Sequence, residues 1–150
     1  MDYLRGDLIE YAKAGKFDII VHGCNCFNTM GSGIAKQIKE AYPGAWTIDQ
    51  QTMKGDRNKL GSYTYVYYKP IVVNAYTQFD YGRDGADRFE YDAFDLILQK
   101  LKFQFPKLKY GFPAIGCGLA GGNESRIVEM IKKFDREISV YGGSVTLVRL

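Results

Sequence analysis

Between Val21 and Ala35 the chain reads VHGCNCFNTMGSGIA, which gathers an imidazole, two thiols, two carboxamides, hydroxyls and bare glycines into one short span. His22, Cys24 and Cys26 alternate, so on an extended chain they point the same way. Three chemistries fit that alternation. Metal ligands on one segment ordinarily span a turn with two to four intervening residues, which this spacing lacks, and no fourth partner is evident besides Cys117. A cysteine nucleophile needs a lowered pKa and a nearby base, and His22 is the only histidine in the chain. Small buried cysteines are the third and leading account. Asn25 differs from its neighbours because a carboxamide donates to one hydroxyl while accepting from another, as a sugar ring requires; the same amide could instead close its own loop. Gly31, Ser32 and Gly33 then give way to Ile34, Ala35, Ile38 and Ala41 at helical spacing. A strand that runs through a small-residue loop into a helix start brings backbone N–H groups and the positive end of a helix dipole to one point. We read this as a phosphate or sugar-phosphate site.

A second glycine-rich run, Gly116-Cys117-Gly118-Leu119-Ala120-Gly121-Gly122, also stands between a strand-like and a helix-like segment. Gly116, Gly118 and Gly121 match G-x-G-x-x-G, yet the only later strand, Ser144 to Leu150, carries no terminal acid for a ribose hydroxyl, which argues against a dinucleotide site. No Gly-Lys-Ser/Thr follows either glycine run, so neither is a P-loop. An anion cradle or a pair of tight turns remains. Asp7 reads as a helix N-cap that could also accept from the exocyclic amine of a base. Gln78, Asp80, Tyr81 and Asp84 follow a strand and should reach the same crevice edge.

The elements that position these groups alternate along the chain. Met1 to Arg5 reads as a strand and Gly6-Asp7 turns it into a helix ending near Gly15. Phe17 to Gly23 is a second strand, and the helix begun at Gly33 stops before Pro43, with a further helical piece around Trp46. Ser62 to Tyr68 and Ile71 to Tyr76 should pair as a hairpin across Lys69-Pro70. A helix from about Phe89 to Phe103, a strand from Leu108 to Ile115, a helix over Ile127 to Phe134 and a closing strand from Ser144 complete the pattern. Helices interleaved with strands predict a mixed but largely parallel sheet covered on both faces, whose ligands bind beyond the carboxyl ends of the strands.

At 150 residues the chain suits a single domain, 1–150, and its 46% hydrophobic and 25% charged fractions are those of an ordinary globular protein. The net charge of +3 is too small and too interspersed to indicate a dedicated nucleic-acid partner, and Lys132, Lys133 and Arg136 read as a solvated helix face. Three cysteines without a signal-like start point to a reducing compartment, and no run approaches the length of a membrane span, so a cytoplasmic protein is expected.

Taken together, Gly6-Asp7-Leu8, His22 to Asn25 leading to Gly31 through Ala35, Asn74 through Gln78, and Pro113 through Gly122 resemble the macrodomain family over essentially the whole chain. Within that family the likeness is to the small stand-alone branch that includes ADP-ribose 1″-phosphate phosphatases and deglutamylating ADP-ribosyl hydrolases. The resemblance implies a three-layer α/β/α sandwich that binds ADP-ribose. By position, Asp7, with Leu8 beside it, would hold the adenine amine. Gly31, Ser32, Gly33 and Ile34, with Gly116, Cys117, Gly118, Leu119 and Ala120, would wrap the diphosphate and distal ribose. Asn25 would contact the distal ribose, His22 stands where many relatives carry another asparagine, and no adenine-stacking aromatic is identifiable before the chain stops at Leu150.

Two departures bear on the activity. The deglutamylating branch carries a lysine where Gln78 falls and an aspartate where Ala120 falls, so its covalent amine route is not expected here. The expected activity is hydrolysis of ADP-ribose 1″-phosphate, with Asn25 orienting the ribose and His22, at an unperturbed pKa near 6.5, moving the proton; Asp80 or Asp84 is the reserve. The alternatives are a non-catalytic ADP-ribose reader, or a hydrolase that removes ADP-ribose from modified protein or nucleic acid. No cofactor or metal is expected, and the expected partners are ADP-ribose or its 1″-phosphate and ADP-ribosylated macromolecules, with neither a membrane nor a specific nucleic acid.

Overall fold

The computed structural model describes residues 1–82, 86–115 and 121–150. Along the chain it contains β1 (Asp2–Arg5), α1 (Leu8–Lys13), β2 (Ile19–Cys24), α2 (Gly33–Ala41), α3 (Pro43–Gln50), a 3-10 turn at Arg57–Lys59, β3 (Tyr63–Val66), β4 (Ile71–Tyr76), α4 (Tyr91–Gln104), β5 (Lys109–Phe112), α5 (Glu124–Ser139) and β6 (Ser144–Arg149). The strands form one sheet in the order β1-β6-β5-β2-β4-β3. Every neighbouring pair is parallel except β3 with β4, which is the expected hairpin in the register Tyr63↔Ala75 to Val66↔Val72.

The centre of the sheet is β2, whose Ile19, Ile20 and Val21 are completely buried. Alternation along that strand sends Ile19 and Val21 to one face, where they pack with Val73, Phe94, Ile97, Ile131 and Phe134 under α4 and α5. It sends Ile20 to the other, with Leu8, Phe17, Ile38 and Val148 beneath α1 and α2. Burial of each such side chain is worth roughly 1.5–3 kcal/mol. Helices on both faces make the three-layer α/β/α sandwich that the residue pattern predicts. The α5 periodicity buries Ile127, Ile131, Phe134 and Ile138 and leaves Lys133 and Arg136 in solvent.

Strand ends differ from the expected ones where local chemistry intervenes. β5 stops at Phe112 because Pro113 has no N–H to continue a ladder. β2 begins at Ile19, while Phe17 before it turns its ring under the sheet and lies against Gly111. A Cβ on Gly111 would come within 2.6 Å of that ring. Glycine inside this strand therefore marks a close approach.

The carboxyl ends of the parallel strands all open on one side of the sheet, where Arg5, Cys24, Gln78, Pro113 and Arg149 border a single cleft. We predict that Gly111→Ala destabilises the protein by about 1–3 kcal/mol, read as a lower urea midpoint at unchanged m-value; an unchanged midpoint would show that Phe17 moves aside without cost.

Candidate functional site

The cleft encloses about 980 Å³ and is lined by Asp7, Leu8, Asn25, Gly31, Ser32, Gly33, Ile34 and Gln78 together, with Tyr81 at its rim. Residues taken from three separate stretches of sequence thus meet on one wall system. Gly116, Cys117, Gly118, Leu119 and Ala120, together with Asp84, lie outside the described residues. Pro113, Ala114 and Ile115, which lead into the second glycine run, also line the cleft.

The start of α2 supplies the groups best suited to an anion. Ser32 occupies the N-cap position in an extended conformation, φ −152° and ψ 163°, but its side chain makes no capping hydrogen bond, and no acid stands in the first turn. Two other helices are capped by side chains, α1 by Asp7 Oδ1, which accepts from Ile9 N at 2.7 Å and Glu10 N at 3.2 Å, and α5 by Asn123, which accepts from Arg126 N, whereas α3 and α4, like α2, carry no side-chain cap. The first N–H groups of an uncapped helix need partners from outside it, and at α2 the residues that carry them, Gly33, Ile34 and Ala35, line the cleft. Both bonds to Asp7 fall on Oδ1, and Oδ2 carries none among the described residues.

Asn25 closes its own loop and still lines the cleft. Its Oδ1 accepts from Phe27 N at 2.8 Å and its Nδ2 donates to Thr29 Oγ1 at 2.7 Å. Nδ2 also donates to Thr29 O at 3.4 Å, so after the loop is closed the group left for a ligand is a second lone-pair site on Oδ1.

What holds that loop in place is Lys59, a residue that pattern reasoning did not single out. It is 7% exposed, and its ammonium donates to Cys26 O at 3.0 Å, Asn28 Oδ1 at 2.6 Å and Met53 O at 3.2 Å. Asn28, at φ +58°, is further tied by Gln50 Nε2 to its carbonyl and by its own Nδ2 to Thr52 O. The buried carboxyl of Asp49, bonded by the Tyr76 hydroxyl at 2.7 Å, lies in the same network, and burial raises its pKa. A lysine in a polar stretch gives no sequence sign of being buried; only the fold brings its acceptors together.

Two residues expected to be catalytic, His22 and Asp80, are not among the cleft-lining residues. His22 is 1% exposed and is not a cleft-lining residue; its Nε2 is 2.6 Å from Asn74 Oδ1 on β4, and the Asn74 amide donates to Ala45 O of α3. Burial drives its pKa from the ordinary 6.5 down to about 4, against the raising effect of the Asn74 bond, so at neutral pH it is an uncharged imidazole locked inside the sandwich. Asp80 likewise is not on the cleft wall, because its carboxylate turns outward to Arg88 Nε at 3.1 Å with the side chain 57% exposed. The thiols of Cys24 and Cys26 are free and buried, and burial raises both pKa values, which opposes thiolate formation.

The far end of the cleft holds residues that the motifs did not mark. Arg5 and Arg149 are register partners at the carboxyl ends of β1 and β6, and Arg149 Nη2 pairs with Glu124 Oε1 at 2.7 Å. The rule that ligands gather at strand carboxyl ends was the available signal for these two.

The depressed His22 value carries a sign. Between about pH 4 and 6.5 the unfolded chain takes up a proton that the folded one refuses, so this contribution to stability is complete above pH 6.5 and is lost as pH falls toward 4. We predict a loss of about 3 kcal/mol across that window, measured by urea unfolding and largely absent in His22→Gln. Equal pH slopes in the two proteins would contradict the buried neutral imidazole.

No family model matches the chain. It is 37% identical over 149 residues to an uncharacterized 17.5 kDa protein of the tk-vs intergenic region of Enterobacteria phage T4, covering 92% of each chain. It is 22% identical to an ADP-ribose 1″-phosphate phosphatase of Scheffersomyces stipitis over 93% of this chain and 97% of that one. Among solved structures, it superposes on the macrodomain of Mycobacterium tuberculosis DarG with a TM-score of 0.76 at 17% identity, covering 98% of this chain and 95% of that one. It also superposes on a Trypanosoma brucei macrodomain in complex with ADP-ribose, with a TM-score of 0.67 at 15% identity, covering 98% and 62%. With the sandwich, the strand-end cleft and the ordered motifs already in place, these likenesses show that the chain has the macrodomain fold.

Proposed function

We propose that the cleft binds ADP-ribose and that the protein hydrolyses ADP-ribose 1″-phosphate to ADP-ribose and inorganic phosphate. The observation that carries this reading is the joint placement of Asp7, the uncapped start of α2 and Asn25 along one continuous cleft. Asp7 at one end accepts the adenine amine. The first N–H groups of α2 take the diphosphate in the middle, and the remaining lone pair of Asn25 Oδ1 accepts from a hydroxyl of the distal ribose at the other end. A relative named for this phosphatase activity and a solved macrodomain holding ADP-ribose support the same assignment.

Hydrolysis requires water to form a bond to phosphorus while the bond from phosphorus to the ribose 1″ oxygen breaks, that oxygen recovering a proton and the water losing one. Such transfers are served mainly by positioning and charge stabilisation. Asn25 contributes by fixing the ribose. His22, buried and absent from the cleft wall, is not assigned the proton transfer in this reading.

A second reading, a non-catalytic ADP-ribose reader, is favoured by one observation. The acids that line the cleft among the described residues, Asp7 and Glu124, cap a helix or pair with Arg149 and are not at the Asn25 end. Phosphate release separates the two. We expect wild-type protein to liberate phosphate from ADP-ribose 1″-phosphate and Asn25→Ala to do so about 10²-fold more slowly. Binding of ADP-ribose with no release above the Asn25→Ala background would establish the reader instead.

A further inference from the structure

Thr77 follows β4 directly and is completely buried. Its backbone is fully employed: its N–H donates to Cys24 O at 3.2 Å, and its carbonyl accepts from Glu90 N at 2.7 Å. Its hydroxyl is not. Thr77 Oγ1 is shielded from solvent and has no hydrogen-bond partner among the described residues, a condition shared only with the Tyr42 hydroxyl, which belongs to the α2–α3 junction away from the cleft. A hydroxyl left in that state is costly to fold around, so it calls for a reason.

Its neighbours supply one. A Cβ built on Gly23 would lie 2.8 Å from Thr77 Oγ1 and 3.1 Å from Ile115 Cγ1, and Gly23 and Ile115 both line the cleft. The hydroxyl therefore sits behind the cleft wall at Gly23, where that wall has no side chain. Gly23 has an ordinary backbone conformation, with no positive φ to explain the glycine; the reason for it is space in front of Thr77. Asn25 and Gln78, one or two residues from Gly23 and Thr77, line the same part of the cleft.

Building on the ADP-ribose reading, we infer that the Thr77 hydroxyl obtains its missing partner from the cleft, bonding an oxygen of the distal ribose or the phosphate that carries it, the part that AMP lacks, either directly or through one trapped water. Gly23 is the opening through which that bond is made. Thr77 is thus a ligand-specificity residue, held in reserve with its hydrogen bond unmade until the nucleotide arrives.

The test compares wild type with Thr77→Val, which keeps the shape and removes the hydroxyl, and with Thr77→Ser, which restores it. Affinities for ADP-ribose and for AMP are measured by calorimetry, and thermal midpoints are measured without ligand. We expect Thr77→Val to be at least as stable as wild type, to bind ADP-ribose about tenfold more weakly, and to bind AMP as wild type does, with Thr77→Ser recovering most of the lost affinity. Gly23→Ala, which closes the opening, should lower ADP-ribose affinity as well. Unchanged ADP-ribose affinity in Thr77→Val overturns the inference while leaving the proposed function standing. A clear loss of stability in ligand-free Thr77→Val, or an equal loss of AMP binding, overturns it too, because the hydroxyl would then be serving the fold. Wild type that binds no ADP-ribose defeats the proposed function and this inference together.

Discussion

A parallel strand buried on both faces has no freedom in where it ends, and β2 delivers its polar sequel at a point set by its pairing with β4 and β5. Beyond Cys24 the chain must turn through a stretch of polar residues whose backbone groups need partners, and the ammonium of Lys59 provides three of the bonds that hold the turn and its surroundings. Burying a charge is tolerable only when its donors are used and opposite charge is near; here every proton of the ammonium is placed and Asp49 lies in the same network. The loop that results carries Asn25 outward and hands the chain to α2 with the first turn of that helix uncapped.

The cleft is consequently built more from backbone than from charge. Its middle consists of glycines and a helix start, and its ionisable groups cluster at the Arg5, Arg149 and Glu124 end. Fixed amide dipoles need no reorganisation to meet an anion, and small residues let a ligand approach them closely. The same economy of side chains appears at Gly23, where a Cβ would meet the buried Thr77 hydroxyl at 2.8 Å.

Much of this was legible in the residues because it rests on local rules. The apolar run of Ile19, Ile20 and Val21, the Asp7 cap and the glycine-to-helix transition at Gly33 are all short-range signals, and each appears where it should, whereas the expected strand from Leu108 to Ile115 is cut short at Pro113. The failures have a common cause in long-range burial. His22 looked like a titrating group because its type was visible and its enclosure by Asn74 and the α3 carbonyl of Ala45 was not. Asp80 follows β4 at a crevice edge, but its pairing with Arg88 directs the carboxylate elsewhere. Lys59 and Thr77 were passed over because an ordinary lysine and threonine acquire meaning only from acceptors, or the lack of them, supplied by distant segments.

The central claim is that uncapped N–H groups at the start of α2 are the anion-holding element of the cleft. An amide-resolved NMR titration with ADP-ribose tests it most directly. The account predicts that the largest shifts fall on Ser32, Gly33 and Ile34, accompanied by Asn25 and Gln78. Saturation with those amides unmoved, or with shifts centred on the groove between α4 and α5 around Phe103 and Tyr141, would contradict it.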